Sequence, residues 1–216
     1  MRIGIAIPCY KYHIPVLKRC LDSIEAQTRK PDEVVVSCSS CAESDIPEYK
    51  YSFSLKIITT SERKNAAENR NIASSHLDTD IVSFFDCDDE MHPQRLEAIY
   101  GAFMRYSCDI VLHGYFINDE NKMPFQIYPE LTVFINMLRR HLTGCAFIHG
   151  YLKTRIHQSQ VSVKKYILSK IRFREDKQSE RKEDALFCGD VAAIPGIQSI
   201  CIENSLSKYY YEGAWY

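Results

Sequence analysis

Short apolar runs alternate with amphipathic stretches along the first half of the chain. Five runs are rich in β-branched residues and short enough for buried strands, and they lie at residues 2–7, 33–37, 55–58, 81–85 and 109–117. We predict a strand at each position, with Pro8 ending the first one. Continuous apolar strands of this kind are typical of parallel sheets that are covered on both faces.

Between these strands, apolar residues recur with the period of a helix. One stripe consists of Val16, Leu17, Cys20, Leu21 and Ile24. A second stripe follows Pro93, a residue favoured in the first turn of a helix, and consists of Leu96, Ile99, Tyr100, Phe103 and Met104. Residues 63–76 are polar and rich in Ala and Asn, so we expect an exposed helix there. The order of elements predicts an α/β fold with a mostly parallel central sheet and helices on both faces.

The second half of the chain has a weaker pattern. We predict a short helix at 131–140, a helix at 181–192 and short strands at 200–202 and 206–211. No internal repeat and no linker separates this half from the first. The sequence therefore predicts a single domain, 1–216, in which the second half is a small elaboration of the sheet.

Composition narrows the choice of partners. The chain has 216 residues, with 27 Lys and Arg against 28 Asp and Glu, and a formal charge of -1. A chain without net positive charge is a poor candidate for wrapping nucleic acid, so we expect no nucleic-acid partner. The first apolar run is too short for a signal peptide, and no run reaches the roughly 18 apolar residues of a membrane span. We therefore expect no integral membrane segment and a soluble, cytoplasmic protein.

The nine cysteines support that expectation, because their spacing is not that of a disulfide framework. Cys38 and Cys41 form a single C-x-x-C after the second predicted strand. Such a pair can be a redox dithiol or half of a zinc site, but zinc would need a second pair that the sequence lacks. We favour a loop that carries two thiols without redox or metal chemistry.

The most informative motif is Asp86-Cys87-Asp88-Asp89, directly after the apolar run 81–85. Ligands of open α/β sheets bind outside the carboxyl ends of the strands. Three carboxylates in four residues repel each other, and a divalent cation such as Mg²⁺ or Mn²⁺ offsets that repulsion. In an extended chain, Asp86 and Asp88 would point the same way. The alternative is an acidic turn that caps the helix after Pro93.

A second acidic pair, Glu183 and Asp184, precedes an apolar helical stretch. Acidic residues are common in the first turn of a helix, so the pair alone indicates a helix start. Together with the first cluster it is more informative, because one cluster can hold a metal while the other acts as a general base.

Taken in order, several segments resemble the family 2 glycosyltransferases, the inverting nucleotide-sugar enzymes of the GT-A fold. The segments are IGIAIPCYKYHIPVLKRCLDSIEAQT, EVVVSCSS, KNAAENRNIA, SFFDCDDEMHPQRLE, VSVKKYILSKIRF, RKEDALF and LSKYYYEG. The resemblance covers most of the chain. It implies a GT-A fold in which 1–117 form the nucleotide-sugar-binding half and 118–216 the acceptor-binding half.

The resemblance also implies donor-binding residues. Pro8 and Tyr10 would flank the nucleobase, beside a loop that contains Ser37 and Ser39. Contacts with the nucleotide or its diphosphate would come from Lys64, Asn65 and Arg70. The family usually has an acidic residue after the second strand to contact uracil, whereas this chain has no carboxylate there before Glu43. A UDP-sugar is the expected donor, with the nucleobase left open by that departure.

For the metal and the chemistry, the resemblance implies a D-x-D site. Asp86 would contact the ribose or the metal shell, and Asp88 would bind Mn²⁺ or Mg²⁺ bridging the two phosphates. Cys87, which lies between them, would also belong to the nucleotide-sugar-binding residues, and Asp89 would support the site.

The catalytic assignments fall on the second acidic pair. Asp184 would be the general base for an acceptor hydroxyl of a glycan or glycoconjugate, with Glu183 beside it. His149 either lines the sugar pocket or is a hydrogen-bonded structural residue.

Alternatives remain at this stage. A catalytically silent nucleotide-sugar-binding protein would share the fold. A Mg²⁺-dependent phosphotransferase is disfavoured, because position 90 is Glu where its motif needs Thr. The basic stretch 164–182 is either a solvated charged face or a loop that closes over the diphosphate.

Overall fold

The computed structural model describes residues 1–117, 120, 122–149, 156 and 158–210. Within these residues the strands are β1 Ile3–Tyr10, β2 Glu33–Ser39, β3 Ser54–Thr60, β4 Ile81–Phe84, β5 Glu90–Met91, β6 Ile110–Phe116, β7 Val133–Ile135, β8 Leu138–Arg140, β9 Ala146–Ile148, β10 Ser162–Lys164 and β11 Ser199–Lys208. The α-helices are α1 Ile14–Glu25, α2 Ala66–Ser75, α3 Arg95–Tyr106, α4 Lys165–Leu168 and α5 Glu183–Ala192.

One central sheet contains nine of the strands in the described ranges. Its order is β3-β2-β1-β4-β10-β6-β11-β5, with β7 paired to β11, while β8 and β9 form a separate hairpin. Strands β1 to β4 are parallel, and β6 and β11 run in the same direction. The remaining strands β5, β7 and β10 are antiparallel to their neighbours. The predicted α/β fold with a mostly parallel sheet is therefore confirmed.

Helices cover both faces of this sheet. On one face, the apolar stripes of α1 and α3 pack against Ile3, Ile5 and Ile7 of β1. On the other, α2 and α5 pack over a second cluster that includes Phe84 and Phe187. Burying both faces removes a continuous apolar surface from water, the main favourable term in folding. Met104 is an exception to the predicted stripes, because it is 56% exposed.

The first strand does not end at Pro8 as predicted. It continues to Tyr10, with Pro8 opposite Ser37 of β2. The carbonyl of Ala6 accepts the N–H of Phe85, so this side of β1 faces β4, and Pro8 two residues later faces the same way. Because β4 pairs with β1 only as far as Ala6, the missing N–H of Pro8 interrupts no hydrogen bond of the ladder.

Two predictions in the second half were wrong. The helix expected at 131–140 is instead β7 and β8, two strands of three residues each. The two short strands expected near 200 and 206 are one strand, β11, whose register shifts between Ile202 and Ser205. Gly114 of β6 lies against this irregularity, where a Cβ atom would come within 2.5 Å of the Glu203 carbonyl. Residue 211, the end of the second predicted strand, lies outside the described residues.

A helix does form within residues 63–76, but the prediction that it is exposed was wrong. α2 is mostly buried and carries polar side chains inward, among them Asn69, Arg70 and Asn71. These side chains are buried because other parts of the chain hydrogen-bond to them, as described below.

Within the part of the chain that the structure describes, no helix combines the length and the apolar character that crossing a membrane requires.

Candidate active site

The carboxyl ends of β1, β2 and β4 meet at one edge of the sheet, where ligands of α/β sheets bind. The chain leaves β4 at Phe84 and enters a turn over residues 86–89, which we call the acidic turn. The N–H of Asp89 donates to the carbonyl of Asp86 across 3.2 Å. The segment is therefore a turn, and it does not adopt the extended conformation in which Asp86 and Asp88 would point the same way.

The acidic turn is anchored by residues from the far end of the chain. The hydroxyl of Ser159 accepts the N–H of Asp86 at 3.1 Å and donates to Asp89 Oδ2 at 2.5 Å. The N–H of Tyr210 donates to Asp89 Oδ1 at 3.2 Å. Asp89 is fully buried, and burial raises its pKa well above the usual range. Its carboxyl group therefore holds the turn and does not face solvent.

A buried arginine supports Ser159 in turn. Arg95 is fully buried, and its Nη2 donates to the carbonyls of Ser159 at 2.8 Å and Phe84 at 3.1 Å. Its Nε donates to His113 Nε2 at 2.8 Å, and its Nη1 donates to Ser83 Oγ at 2.8 Å. The guanidinium thus ties the end of β4 to Ser159, beneath the acidic turn.

The two acidic clusters of the sequence are joined by Arg70 of α2. Its Nη2 donates to Asp86 Oδ1 and its Nη1 to Glu183 Oε1, each at 2.9 Å. The three side chains are 6%, 16% and 14% exposed. In such a setting an arginine without its carboxylates would be costly, so the three groups stabilise one another. The structure thereby brings together Arg70, Asp86 and Glu183, which lie up to 113 residues apart.

Asp184 is the second residue of α5, next to Glu183. Its Oδ1 accepts the N–H of Ala185 at 2.7 Å. Burial raises the pKa of Asp184 to about 7. The negative charge of Glu183 also raises this pKa, whereas the positive charge of Arg70 lowers it. A carboxyl group with such a pKa can take up a proton near neutral pH, as a general base must.

The position of α5 depends on a close backbone contact. Gly189 lies so near the carbonyl of Gly144 that a Cβ atom would overlap it. Arg174 also holds the helix, because it donates to both oxygens of Asp190 at 2.8 and 3.0 Å. Both contacts hold the second half of α5, outside the acidic clusters.

Asp88 and Asp86 have the oxygen donors that Mg²⁺ and Mn²⁺ prefer. Burial and the neighbouring charge of Asp86 raise the pKa of Asp88 to about 6. A cation beside these carboxylates would relieve that unfavourable burial of charge. No group of three or more metal-ligating side chains converges in the described ranges. The pair therefore fits a cation that takes its other ligands from water and phosphate.

The candidate nucleobase residues lie at the ends of β1 and β2. The hydroxyl of Ser37 donates to Asn69 Oδ1 at 2.9 Å, and Asn69 Nδ2 donates to Ser39 Oγ at 3.1 Å. Tyr10 is half-buried, with the guanidinium of Arg63 5.8 Å from the centre of its ring. Pro8, two residues before Tyr10, is buried in β1.

The other three candidate donor-binding residues, Asn65, Lys64 and His149, make a helix cap, ion pairs and a backbone hydrogen bond, respectively. Asn65 caps α2, since its Oδ1 accepts the N–H of Glu68 at 2.9 Å and Glu68 Oε2 accepts the N–H of Asn65 at 2.7 Å. Lys64 pairs with Glu62 and Glu68 at 3.0 and 3.5 Å. His149 has an exposed side chain, and its N–H donates to Met137 next to β8.

The model of glycosyl transferase family 2 matches residues 4–192 of the chain. The chain belongs to this family. The match contains the acidic turn, Arg70 and the start of α5.

Curated relatives of this family 2 chain include the glycosyltransferase GlyA of Streptococcus pneumoniae, which is 26% identical over 151 residues. An uncharacterized glycosyltransferase of Haemophilus influenzae is 30% identical over 148 residues. Each alignment covers 63% of this chain, but the chain spans only 21% of GlyA and 49% of the Haemophilus protein.

Solved structures share the fold of the family 2 chain. S. aureus TarS 1-349 in complex with UDP matches with a TM-score of 0.67 at 16% identity, over 97% of this chain and 60% of that chain. A mannosyltransferase from Pyrobaculum calidifontis in complex with GDP-Man and Mn²⁺ matches with a TM-score of 0.64 at 18% identity, over 98% of this chain and 58% of that chain. These matches confirm the predicted GT-A fold.

Sequence reasoning missed the residues that assemble the site. Ser159, Arg95 and Asn69 are not among the predicted site residues, and the helix that carries Asn69 and Asn71 is predicted to be exposed. Asn71 Nδ2 donates to the carbonyl of Phe173 at 2.9 Å, so α2 also holds the segment that leads into α5. The cluster of Asn and Arg in AAENRNIA was the available signal, because polar side chains inside a helix must find partners once it is buried.

Proposed function

We propose that this family 2 chain is a glycosyltransferase that moves a sugar from a nucleotide diphosphate sugar to an acceptor hydroxyl, with inversion at the anomeric carbon. One observation carries the proposal. Arg70 bonds both to Asp86 of the acidic turn and to Glu183 at the start of α5, at the carboxyl edge of the sheet. The proposed site for a leaving diphosphate and the proposed site for an acceptor would therefore be adjacent.

We assign residues 1–117 to donor binding. The nucleobase would lie between Pro8 and Tyr10 and beside Ser37 and Ser39, at the ends of β1 and β2. A UDP-sugar is the first donor to test, because TarS, which shares the fold, has been solved with UDP and with UDP-GlcNAc. Lys64 and Asn65 would approach the diphosphate once the donor is bound.

Asp88 and Asp86 would hold Mn²⁺ or Mg²⁺, with Cys87 between them in the turn. When bound, the cation would offset the negative charge that develops on the leaving diphosphate. Asp86 would keep its bond to Arg70, which orients its second oxygen. Asp89 and Ser159 would hold the turn in shape throughout, because both are buried beneath it.

Asp184 would act as the general base. It would accept the proton of the acceptor hydroxyl while the hydroxyl oxygen attacks the anomeric carbon from the face opposite the diphosphate. This arrangement inverts the configuration, and a positioned base of this kind contributes about 10²–10⁴-fold to the rate. The pKa of Asp184, raised to about 7 by burial, suits this proton transfer near neutral pH.

We assign residues 118–216 to binding the acceptor, a glycan or glycoconjugate. The atom Glu183 Oε2 is buried and, within the described residues, has no hydrogen-bond partner. It is therefore available to accept a hydrogen bond from an acceptor hydroxyl beside Asp184. His149 would line the pocket for the donor sugar. The nine free thiols suit a reducing compartment such as the cytoplasm.

The proposal is tested with a panel of UDP- and GDP-sugars, with and without Mn²⁺ or Mg²⁺, and a set of glycan acceptors. We expect sugar transfer or slow donor hydrolysis that needs the cation, and a product whose anomeric configuration, measured by NMR, is inverted. Tight nucleotide binding by calorimetry without any turnover across the panel would instead support a catalytically silent binding protein. A product of retained configuration would contradict the role of Asp184.

A further inference from the structure

A hairpin stands apart from the central sheet in the second half of the chain. It consists of β8, β9 and the turn between them, residues 138–148, and we call it the outer hairpin. In its turn, the N–H of Gly144 donates to the carbonyl of His141 at 2.9 Å, and the N–H of His141 donates to the carbonyl of Cys145 at 2.8 Å. The outer hairpin therefore has a tight and regular tip.

The inner side of the outer hairpin is fixed to the rest of the fold. Leu138 of β8 is buried in the core that contains α5. The carbonyl of Gly144 lies against Gly189 of α5, and Arg140 Nη2 lies 3.5 Å from Asp190 Oδ1 on the same helix. The hairpin thus has a defined position and presents its other side outward.

The outward side of the outer hairpin is both apolar and basic. Arg139 and Phe147 are directly opposite each other in the register, so their side chains share one face. The ring of His141 lies 6.5 Å from that of Phe147, and both side chains are exposed. Leu142, at the tip, is fully exposed. Turns favour Gly, Pro, Asn, Asp and Ser, so the turn itself does not require a leucine there.

A cleft of about 240 Å³ lies beside the outer hairpin. Arg139 and Arg140 line it, together with Asn136 and with Ile194 and Ile197 from the segment after α5. Guanidinium groups are favoured partners of phosphate groups, because their planar N–H donors match the phosphate oxygens. The cleft therefore combines donors for a phosphate group with an apolar wall.

The charge around the cleft is positive. Residues 131–174 contain nine Lys and Arg and no Asp or Glu. Within the described residues, Arg139 pairs with no carboxylate, and its Nη1 donates to two nearby backbone carbonyls. Asp190 pairs with both Arg140 and Arg174, so one carboxylate stands against three guanidinium groups, Arg139 included. An anionic partner would complement this surface.

We propose that the outer hairpin and its cleft dock on the surface of a bilayer that contains anionic lipids. Leu142 enters the boundary between the headgroups and the acyl chains, while Arg139 and Arg140 contact lipid phosphates. An anionic bilayer attracts basic residues near its surface and holds a protein through the apolar area that it buries. The outer hairpin supplies both kinds of group within a few residues of each other.

Two other occupants fit this surface less well. A second copy of the chain, related by a twofold axis, would bring the same guanidinium groups face to face, and like charges repel each other. Single-stranded nucleic acids bind through cations together with aromatic side chains that stack on bases, whereas the tip residue Leu142 is aliphatic. A bilayer offers phosphate at its surface and hydrocarbon beneath, which matches both parts of the surface.

The test is co-sedimentation of the full chain with vesicles of phosphatidylcholine, with and without added phosphatidylglycerol, in the absence of any nucleotide sugar. We expect binding to the anionic vesicles only, and an affinity about tenfold lower at about 0.5 M salt, which screens the charges. A chain that stays in the supernatant with both kinds of vesicle at low salt would overturn the proposal. Because no donor is present, the result does not depend on the proposed function.

Variants at the tip locate the surface. Leu142→Asp removes the apolar group and adds a negative charge, so the affinity for anionic vesicles should fall by about tenfold or more, whereas Leu142→Phe should retain it. Met104→Asp is the matched control, because Met104 is also an exposed apolar side chain but lies on α3. Equal losses in Leu142→Asp and Met104→Asp would show that the outer hairpin is not the docking surface.

A charge variant tests the cleft. Arg139→Gln should weaken vesicle binding about fivefold, the effect of one cation near an anionic surface. Arg105→Gln, at an exposed arginine of α3, is the control and should bind like the unchanged chain. A melting temperature measured for each variant shows whether it is folded. If Arg139→Gln binds as tightly as its control, the cleft is not part of the docking surface.

Two further measurements distinguish the other occupants. Sedimentation velocity without lipid would assign the surface to a second copy if it showed a dimer that Leu142→Asp dissociates. Titration with a fluorescent single-stranded oligonucleotide would assign it to nucleic acid if Arg139→Gln weakened that binding while vesicles were not bound. Either result would overturn the proposal, whereas a monomer that binds anionic vesicles through Leu142 would support it.

Discussion

The acidic turn and the start of α5 each carry a carboxylate that pairs with Arg70, but the two segments are held in different ways. The turn is fixed from beneath by Ser159 and Tyr210, which bond to it through both backbone and side chain. At the start of α5, Glu183 is held by Arg70. Because Arg70 also binds Asp86, the second cluster is positioned through the first.

This difference would separate the binding of the donor from the sugar-transfer step. A firmly anchored turn would keep the geometry of the proposed diphosphate and cation site whether or not a ligand is present. The proposed base, Asp184, and its neighbour Glu183 are joined to that site through the guanidinium of Arg70, so a change in the acidic turn would also displace them. Substitutions in the turn should therefore affect both donor binding and transfer, whereas substitutions at α5 should affect transfer alone.

The largest effect is expected for Asp88→Asn, which removes the carboxylate assigned to the cation. Loss of several kcal/mol of electrostatic stabilisation corresponds to a decrease in kcat/KM of about 10³-fold or more. Steady-state kinetics and calorimetry with Mn²⁺ and UDP should show both defects. Asp78→Asn, at a fully exposed carboxylate, is the control and should retain activity. Normal kinetics in Asp88→Asn would remove the acidic turn from the site.

Asp184→Asn should lower kcat by about 10²–10⁴-fold, because the acceptor hydroxyl loses its base. Donor affinity should be unchanged, which distinguishes this variant from Asp88→Asn. The measurement is kcat at saturating acceptor, together with a UDP titration. Equal losses of affinity in the two variants would contradict the separation of binding from chemistry.

Arg70→Lys tests the link between the clusters. Lysine keeps one charge but cannot contact both carboxylates with a planar guanidinium. We expect kcat to fall by roughly 10–100-fold, as for other residues that orient functional groups. Arg174→Lys, which changes a partly exposed pair with Asp190, is the matched control. If Arg70→Lys matches that control, the two clusters are not coupled through Arg70.

The pH dependence provides a smaller, graded effect. Because the base must be ionised, the rate should fall about tenfold per pH unit below the pKa of Asp184, near 7. The folded chain binds this proton more tightly than the unfolded chain, so Asp184 makes folding stability decrease as pH rises from about 4 to about 7. Asp184→Asn should remove both trends in rate profiles and thermal melts. A rate independent of pH between 5 and 8 would argue against this base.

The smallest effect is expected for Ser159→Ala. This substitution removes the hydroxyl group that bonds both to the N–H of Asp86 and to the carboxyl group of Asp89. We expect the Mn²⁺ concentration that gives the half-maximal rate to rise about tenfold, with kcat little changed. Ser169→Ala, at an exposed hydroxyl, should have no effect. A fall in kcat at saturating Mn²⁺ would place Ser159 nearer the chemistry.

The sequence allowed the parallel half of the sheet to be predicted, because its strands are continuous apolar runs. It did not reveal β7 and β8, whose three residues each are largely exposed and have no clear apolar alternation. The carboxylates of the site were found from residue type and spacing. Ser159 and Arg95 were not, because their role depends on contacts across 64 to 73 residues, which no local pattern encodes.

The place of β10 in the sheet has a consequence for folding. β10 inserts between β4 and β6, although about 80 residues separate it from β4 along the chain. At a synthesis rate of roughly 5–20 residues per second, the edge of β4 stays unpaired for about 4–16 s. During this time the nascent chain carries an open apolar strand edge, the kind of surface on which aggregation starts. Chaperone dependence during synthesis is therefore expected to decline sharply once residue 164 has left the ribosome.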